Sequence, residues 1–221
     1  MKKSAFTLIE VVFVIIVLAI LASVAMDSTT RDLKQEASET ILSHIRLAQQ
    51  LALNDNKHRS DNNPMWQRAY WQFAIRKCSD NIAYRVGSDI SLGGGINGIS
   101  KEEAAINPID GKYIFSNDCL NLANDETPSV LLTKRFGIKD SGVIVSGGCD
   151  RREILFDYLG RPHYRNTTYN TPDFSNIMKQ DCNMTFILDK IDQDNNGVDD
   201  NFTITIEAET GHAFIVGEPN L

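Results

Sequence analysis

Helix breakers are missing from the front of this 221-residue chain: no proline precedes Pro64 and no glycine precedes Gly87. No glycine or proline therefore interrupts a helix where it passes from the apolar first residues into polar sequence. The usual signatures of catalysis are missing too. His44, His58, His163 and His212 are scattered, none stands in an H-E-x-x-H, and no serine sits in a G-x-S-x-G. The run Gly93-Gly94-Gly95 has neither a strand before it nor a helix opening after it, which makes it a flexible loop and a poor phosphate cradle. The four cysteines form no C-x-x-C, and there is no internal repeat and no low-complexity tract. Positive charge is in short supply: 22 Lys and Arg face 29 Asp and Glu, for a net charge of -7. That balance argues against non-specific nucleic-acid binding through an overall positive field.

What the chain does have is an apolar run from Phe6 to Met26, preceded by Lys2 and Lys3 and interrupted by Thr7, Glu10 and Ser23. As a helix it would be roughly 31 Å long, enough to cross a hydrocarbon core with the lysines on the cytoplasmic side. Three readings compete. A secretory signal peptide shares the basic start, and Ala22-Ser23-Val24-Ala25 could pass for its cleavage site. A plain membrane anchor is the second. Both leave Glu10 idle, although a carboxylate inside such a run costs about 2.5 to 3.5 kcal/mol at a helix centre and marks a function by default.

The third reading rests on Ser4-Ala5-Phe6-Thr7-Leu8-Ile9-Glu10, which resembles the cleavage and methylation motif of type IV prepilins and type II secretion pseudopilins. The resemblance implies that a prepilin peptidase cuts between Ala5 and Phe6 on the cytoplasmic face, and that the new Phe6 amine is methylated. Ala5 stands where glycine is usual. The resemblance also implies that Glu10 pairs with the positive amino terminus of a neighbouring subunit, the partner that a lipid-buried carboxylate needs. The anchor then survives processing, and loss of Lys2 and Lys3 lowers the net charge from -7 to -9.

Beyond Arg31 the apolar residues Leu33, Ala37, Ile41, Ile45, Ala48 and Ala52 recur near one helical face, with Leu42 and Leu51 beside them. The polar stretch from Asn54 ends that helix. A helix from Phe6 to Asn54 would be about 70 Å long, its second half packed on a domain instead of forming a separate coiled coil. Strands are expected at Trp66 to Arg76 and Ile82 to Val86, joined by Cys78-Ser79-Asp80-Asn81 as a hairpin connection. Others are expected at Tyr113 to Phe115, Val143 to Val145, Ile154 to Tyr158, Met184 to Ile191, Phe202 to Glu207 and Ala213 to Val216. Trp66, Tyr70, Trp71 and Phe73 read as sheet core or as the surface against the helix, and His44 as a packed or water-facing helix residue.

Ile154 to Pro162, ending in Leu159-Gly160-Arg161-Pro162, with the later Thr203-Ile204-Thr205-Ile206-Glu207 and Thr210-Gly211, resembles the H-type minor pseudopilin domain. The region from about 81 to 141 is covered weakly by that resemblance and looks expanded. The expected fold is α+β and pilin-like, a long N-terminal helix, transmembrane and then amphipathic, packed on an antiparallel sheet domain. Its parts are a leader at 1–5, a transmembrane half-helix at 6–26, an amphipathic half-helix at 27–54 and a periplasmic β-rich domain at 55–221.

With export implied by the anchor, Cys78, Cys119, Cys149 and Cys182 suit disulfides better than metal ligation. Three pairings are open, and sequence proximity favours Cys78 with Cys119 and Cys149 with Cys182. Asp192, Asp194, Asn196, Asp199 and Asp200 place oxygen side chains around Gly197 in the manner of a calcium loop. Thr203 stands where an EF-hand needs its bidentate glutamate and the flanks are strand-like, so a solvated turn is the competing reading. Arg151, Arg152, Arg161, Arg165 and His163 form a basic cluster diluted by Asp150, Glu153 and Asp157, which reads as salt-bridged surface. No cofactor is required by any of this, with calcium as the one candidate.

The expected function is that of a structural minor pseudopilin in a type II secretion or type IV pilus-like filament of the bacterial inner membrane and periplasm, not an enzyme. Its expected partners are other pilins, the prepilin peptidase, the inner-membrane assembly platform and the lipid bilayer, and not nucleic acid. A minor pilin of a DNA-uptake or adhesive pilus is the alternative.

Overall fold

The structure, a computed structural model, describes residues 8–58, 65–90, 98–165, 172–189 and 199–217, without the side chains of 23–32 and 65. Helix α1 runs unbroken from Leu8 to Leu53, 46 residues or about 69 Å, as a stretch without glycine or proline allows. It ends one residue short of the expected Asn54, whose amide still donates to the Gln50 carbonyl.

After a single helical turn, α2 (Met65–Arg68), the chain builds two four-stranded antiparallel sheets. The first has the order β2-β1-β4-β5, with β1 at Trp71–Cys78, β2 at Asn81–Ser88, β4 at Glu153–Phe156 and β5 at Pro162–His163. The second has the order β3-β6-β7-β8, with β3 at Ile138–Gly147, β6 at Cys182–Leu188, β7 at Asn201–Ile206 and β8 at Ala213–Ile215. Strand alternation sorts the residues of β6: Cys182, Met184, Phe186 and Leu188 point inward, and the residues between them are half-buried. On the other face Thr185 and Thr203 share a 2.8 Å hydrogen bond, and the Thr205 hydroxyl donates to Asn183. The second half of α1 contacts strands of both sheets, and one hydrophobic core joins helix and sheets.

Three expectations differ from the structure. Trp66 to Tyr70 is not strand, because the Gln67 amide exchanges two hydrogen bonds with the backbone of Asp173 and holds these residues out of the sheet. Trp66 and Tyr70 instead pack with Leu155 in a small separate cluster. Tyr113 to Phe115 forms no strand: Tyr113 makes isolated bridges to Ile106 and Glu126, and Ile114 exchanges single backbone bonds with Ala105 and Val86. A short helix absent from the expectation, α3 (Leu132–Phe136), buries Leu132 and Phe136 against the core.

The hairpin at Ser79-Asp80 forms as expected, with Cys78 opposite Asn81 and Ser79 at φ 58. The irregular excursion from about 98 to 131 lies along β2, where Gly87 faces Ala104; a Cβ at Gly87 would come within 2.7 Å of the Glu103 carbonyl. Cys78 is bonded to Cys119 and Cys149 to Cys182, the pairing of sequence neighbours. The first ties the excursion to β1, and the second ties the turn after β3 to the start of β6.

Ile41 is fully buried where α1 meets the core. Ile41→Ala is therefore expected to cost about 2–5 kcal/mol of unfolding free energy, read from denaturant melts.

Candidate functional site

From Leu8 to Ala22, apart from Glu10, α1 is apolar around its whole circumference, and it is exposed. Leu8 is 83% exposed, and Ile9, Phe13, Ile15, Leu18 and Leu21 are exposed with it. A helix of this kind needs lipid or other helices around it. Glu10 is exposed among these apolar side chains. Among the described residues no helix is long and apolar enough to cross a membrane. The apolar side chains described there run from Leu8 to Ala22, about 22 Å of helix against the roughly 30 Å of a hydrocarbon core.

The second half of α1 is seated by a stripe at helical spacing: Ala37, Ile41, Ile45, Ala48 and Ala52, each buried. Polar bonds then fix its rotation. Arg46 Nε donates to the Ala213 carbonyl at 3.0 Å, and Arg135 pairs with Glu36. Gln49 Nε2 donates to the Gly160 carbonyl at 3.0 Å and the Thr210 carbonyl at 2.8 Å. The two glycine turns that stand about fifty positions apart in the sequence thus meet at one helix side chain. Gly211, at φ +69, lies so close that a Cβ there would come within 2.3 Å of the Gly160 carbonyl.

The turn carrying Gly160 is held from below by Asp157, which is 1% exposed. Its Oδ1 accepts the amides of Leu159 and Arg161, and its Oδ2 accepts Arg161 Nε at 2.9 Å and faces His163 Nε2 at 3.3 Å. Burial alone would raise the carboxyl, but the bonds from His163 and Arg161 outweigh it and hold the pKa below the ordinary carboxylate range.

The family described as the prokaryotic N-terminal methylation motif matches residues 1–26. The chain carries a pilin-type methylation motif. The motif supports a type IV pilin or pseudopilin and implies a structural protein. No curated protein and no solved structure matches the chain. The motif covers the exposed half of α1 and not the domain that seats the other half.

Of the residues that the pilin-type resemblance singles out, Ala5 and Phe6 lie outside the described residues, as do Asp192, Asp194, Asn196 and Gly93-Gly94-Gly95. Asp199 and Asp200 are half-buried, and the Asp200 carbonyl accepts the Leu188 amide. Among the described residues no group of three or more His, Cys, Asp or Glu side chains could hold a metal ion. The basic cluster is salt-bridged: Arg152 pairs with Asp140, Arg161 with Asp157, Arg165 with Asp150, and Arg151 with Glu153 at 4.0 Å.

His44 is packed, not water-facing. It is 2% exposed, and its Nδ1 lies 2.7 Å from the hydroxyl of Tyr84, itself fully buried on β2. Asn107, on the His44 side of this pair, donates to Thr127, and Thr127 donates to Asp110. Burial pushes the His44 imidazole down from 6.5 to about 4, against the opposing pull of Asn107 and the Asp110 charge. Nothing in the sequence singles out Gln49, Arg46 or Tyr84, since a glutamine or arginine beside an apolar stripe reads as ordinary helix surface. The one available signal was the pair of glycine turns, which need something to meet.

Two outcomes are expected. Gly211→Ala should destabilise the domain by about 1–3 kcal/mol or more, through both the positive φ and the carbonyl contact, as a drop in melting temperature would register. Because the folded His44 binds a proton less readily than the unfolded chain, its contribution is complete above pH 6.5 and declines as pH falls toward 4. Denaturant melts across that window should lose up to about 3 kcal/mol from this group. His44→Asn should flatten that part of the profile.

Proposed function

We propose that the chain is a minor pseudopilin, of the H-type that Gly160-Arg161-Pro162 and Thr210-Gly211 resemble, built into a filament of a type II secretion system or a related type IV pilus-like machine. The prepilin peptidase cleaves between Ala5 and Phe6 on the cytoplasmic face, and Phe6 is methylated. Residues 6–26 then hold the mature chain in the bacterial inner membrane, with 55–221 in the periplasm. The observation that carries this reading is the exposed apolar surface of α1 from Leu8 to Ala22, interrupted by Glu10 alone, on a chain with the methylation motif at residues 1–26. Extraction of that stretch from lipid is offset by packing against the helices of neighbouring subunits at the assembly platform, and by Glu10 meeting a neighbour's amino terminus. Two disulfides suit an oxidising compartment. A DNA-uptake reading needs uncompensated cations, and the arginines between 151 and 165 each sit against a carboxylate.

Mass spectrometry of the mature protein should show a chain starting at Phe6 and carrying one extra methyl group. A retained Met1, or a start beyond Met26, would overturn the proposal. Glu10→Ala should leave membrane insertion intact and reduce co-purification with the filament by about tenfold or more, as expected when one partner of a buried ion pair is lost. Equal recovery of mutant and parent would remove the assembly role of Glu10.

A further inference from the structure

Strand β2 is the outer strand of its sheet, and Arg85 leaves it into an open recess of about 510 Å³ lined also by Arg76, Ile99, Lys101, Phe115 and Glu126. Arg85 is only 5% exposed. Its guanidinium donates from Nε and Nη2 to the Ser116 carbonyl, both at 3.0 Å, and from Nη1 to the Ile99 carbonyl at 3.2 Å; the Phe115 ring lies 4.3 Å from Cζ. All of these acceptors are neutral. A buried cation ordinarily has a carboxylate partner, because neutral dipoles return only part of the hydration it loses.

Arg76 adds to the imbalance. Arg85 stands opposite Ala74 in the β1–β2 register, so Arg76, two residues along, is its diagonal neighbour on the same sheet face, about 7–8 Å away. Among the described residues neither arginine has a carboxylate within ion-pair distance, whereas Lys101 in the same recess is held by Asp125 at 2.5 Å and Glu126 at 3.8 Å. Residues 91–97, which precede the lining residue Gly98, read Ser-Leu-Gly-Gly-Gly-Ile-Asn and contain no acid. Burial and the Arg76 charge push the Arg85 guanidinium down to about 10, with Glu126 opposing, so it stays charged at neutral pH. On a chain of net charge -7, this is a localised cationic recess.

We propose that the recess receives an aspartate or glutamate side chain of a partner polypeptide, its carboxylate bridging the guanidiniums of Arg85 and Arg76. Three of the five guanidinium N–H groups of Arg85 are taken by carbonyls, and a carboxylate can accept from those that remain and from Arg76 together. The recess is larger than a bare anion needs, and Ile99 and Phe115 give an apolar wall for the rest of the residue. A nucleic-acid strand fits less well. It requires a row of uncompensated cations along a groove, and here the third cation, Lys101, is already held by Asp125 and Glu126, which leaves a pair of arginines and no row. The proposal does not depend on filament assembly, and its test reads binding alone.

The test is calorimetric titration of the full chain in nonionic detergent, at low salt, with a tetraglutamate peptide blocked at both ends. Blocked tetralysine, inorganic phosphate and a single-stranded oligonucleotide form the other arms. The expected result is saturable binding of the tetraglutamate peptide alone. Arg76→Glu, at an exposed position, should weaken it by about tenfold or more with no fall in melting temperature, since the new carboxylate occupies the recess from within. Lys179→Glu, an equal charge change on exposed surface outside the recess, should leave it unchanged within about twofold. The proposal is overturned by no saturation up to about 1 mM peptide, by equal weakening in the two variants, or by tighter binding of phosphate or the oligonucleotide than of the peptide.

Discussion

Everything beyond the exposed half of α1 depends on one contact, the seating of Ala37, Ile41, Ile45, Ala48 and Ala52 in the core shared by both sheets. Three of these five are alanines, which let strand side chains approach the helix closely, and the two isoleucines fill the space between. An apolar stripe alone leaves a helix free to slide or roll, since hydrophobic burial is non-directional. Gln49 and Arg46 supply direction: they bond to carbonyls on turns that the sheets hold in place, so register and rotation are set by geometry that a shifted helix could not reproduce.

That clamp explains why the turns around Gly160 and Gly211 are built as they are. Each presents a backbone carbonyl, Gly160's or Thr210's, to the same amide nitrogen, and this demands that two turns approach within a distance no side chain could tolerate. Asp157 fixes one of them by accepting two backbone amides and an arginine at once, a role that needs a charged acceptor kept ionised by those same donors. Deep burial of a carboxylate is costly in itself, and here its cost is offset locally.

Much of the architecture is legible in the sequence because its signals are long or repeated. The helix declares itself through the missing breakers and the 3.6-residue stripe, and most strands through runs such as Thr203-Ile204-Thr205-Ile206. Short elements are not legible in this way. Trp66 and Tyr70 have the composition of a strand, yet the hydrogen bonds between Gln67 and Asp173, 106 positions apart, decide otherwise. The region from about 98 to 131 is opaque for a related reason: it is organised by single bridges to β2, a disulfide and a buried polar network, none of which has a period. Of the candidate site, the motif at residues 1–26 and Glu10 are written in consecutive residues, whereas Gln49, Tyr84 and Arg85 acquire meaning only through distant partners.

The continuity of α1 is itself a physical requirement of its two surroundings. Ending one helix and starting another would leave up to four amides and four carbonyls without intrahelical partners, and such groups cannot lie in an apolar medium. A single helix from Leu8 to Leu53 avoids that cost wherever the boundary between apolar and aqueous surroundings falls along it. Side chains alone then mark the change, from an apolar surface on all sides to a single stripe. The packed half can be altered through the core, and the exposed half through whatever surrounds it, without either change passing through a break in the backbone.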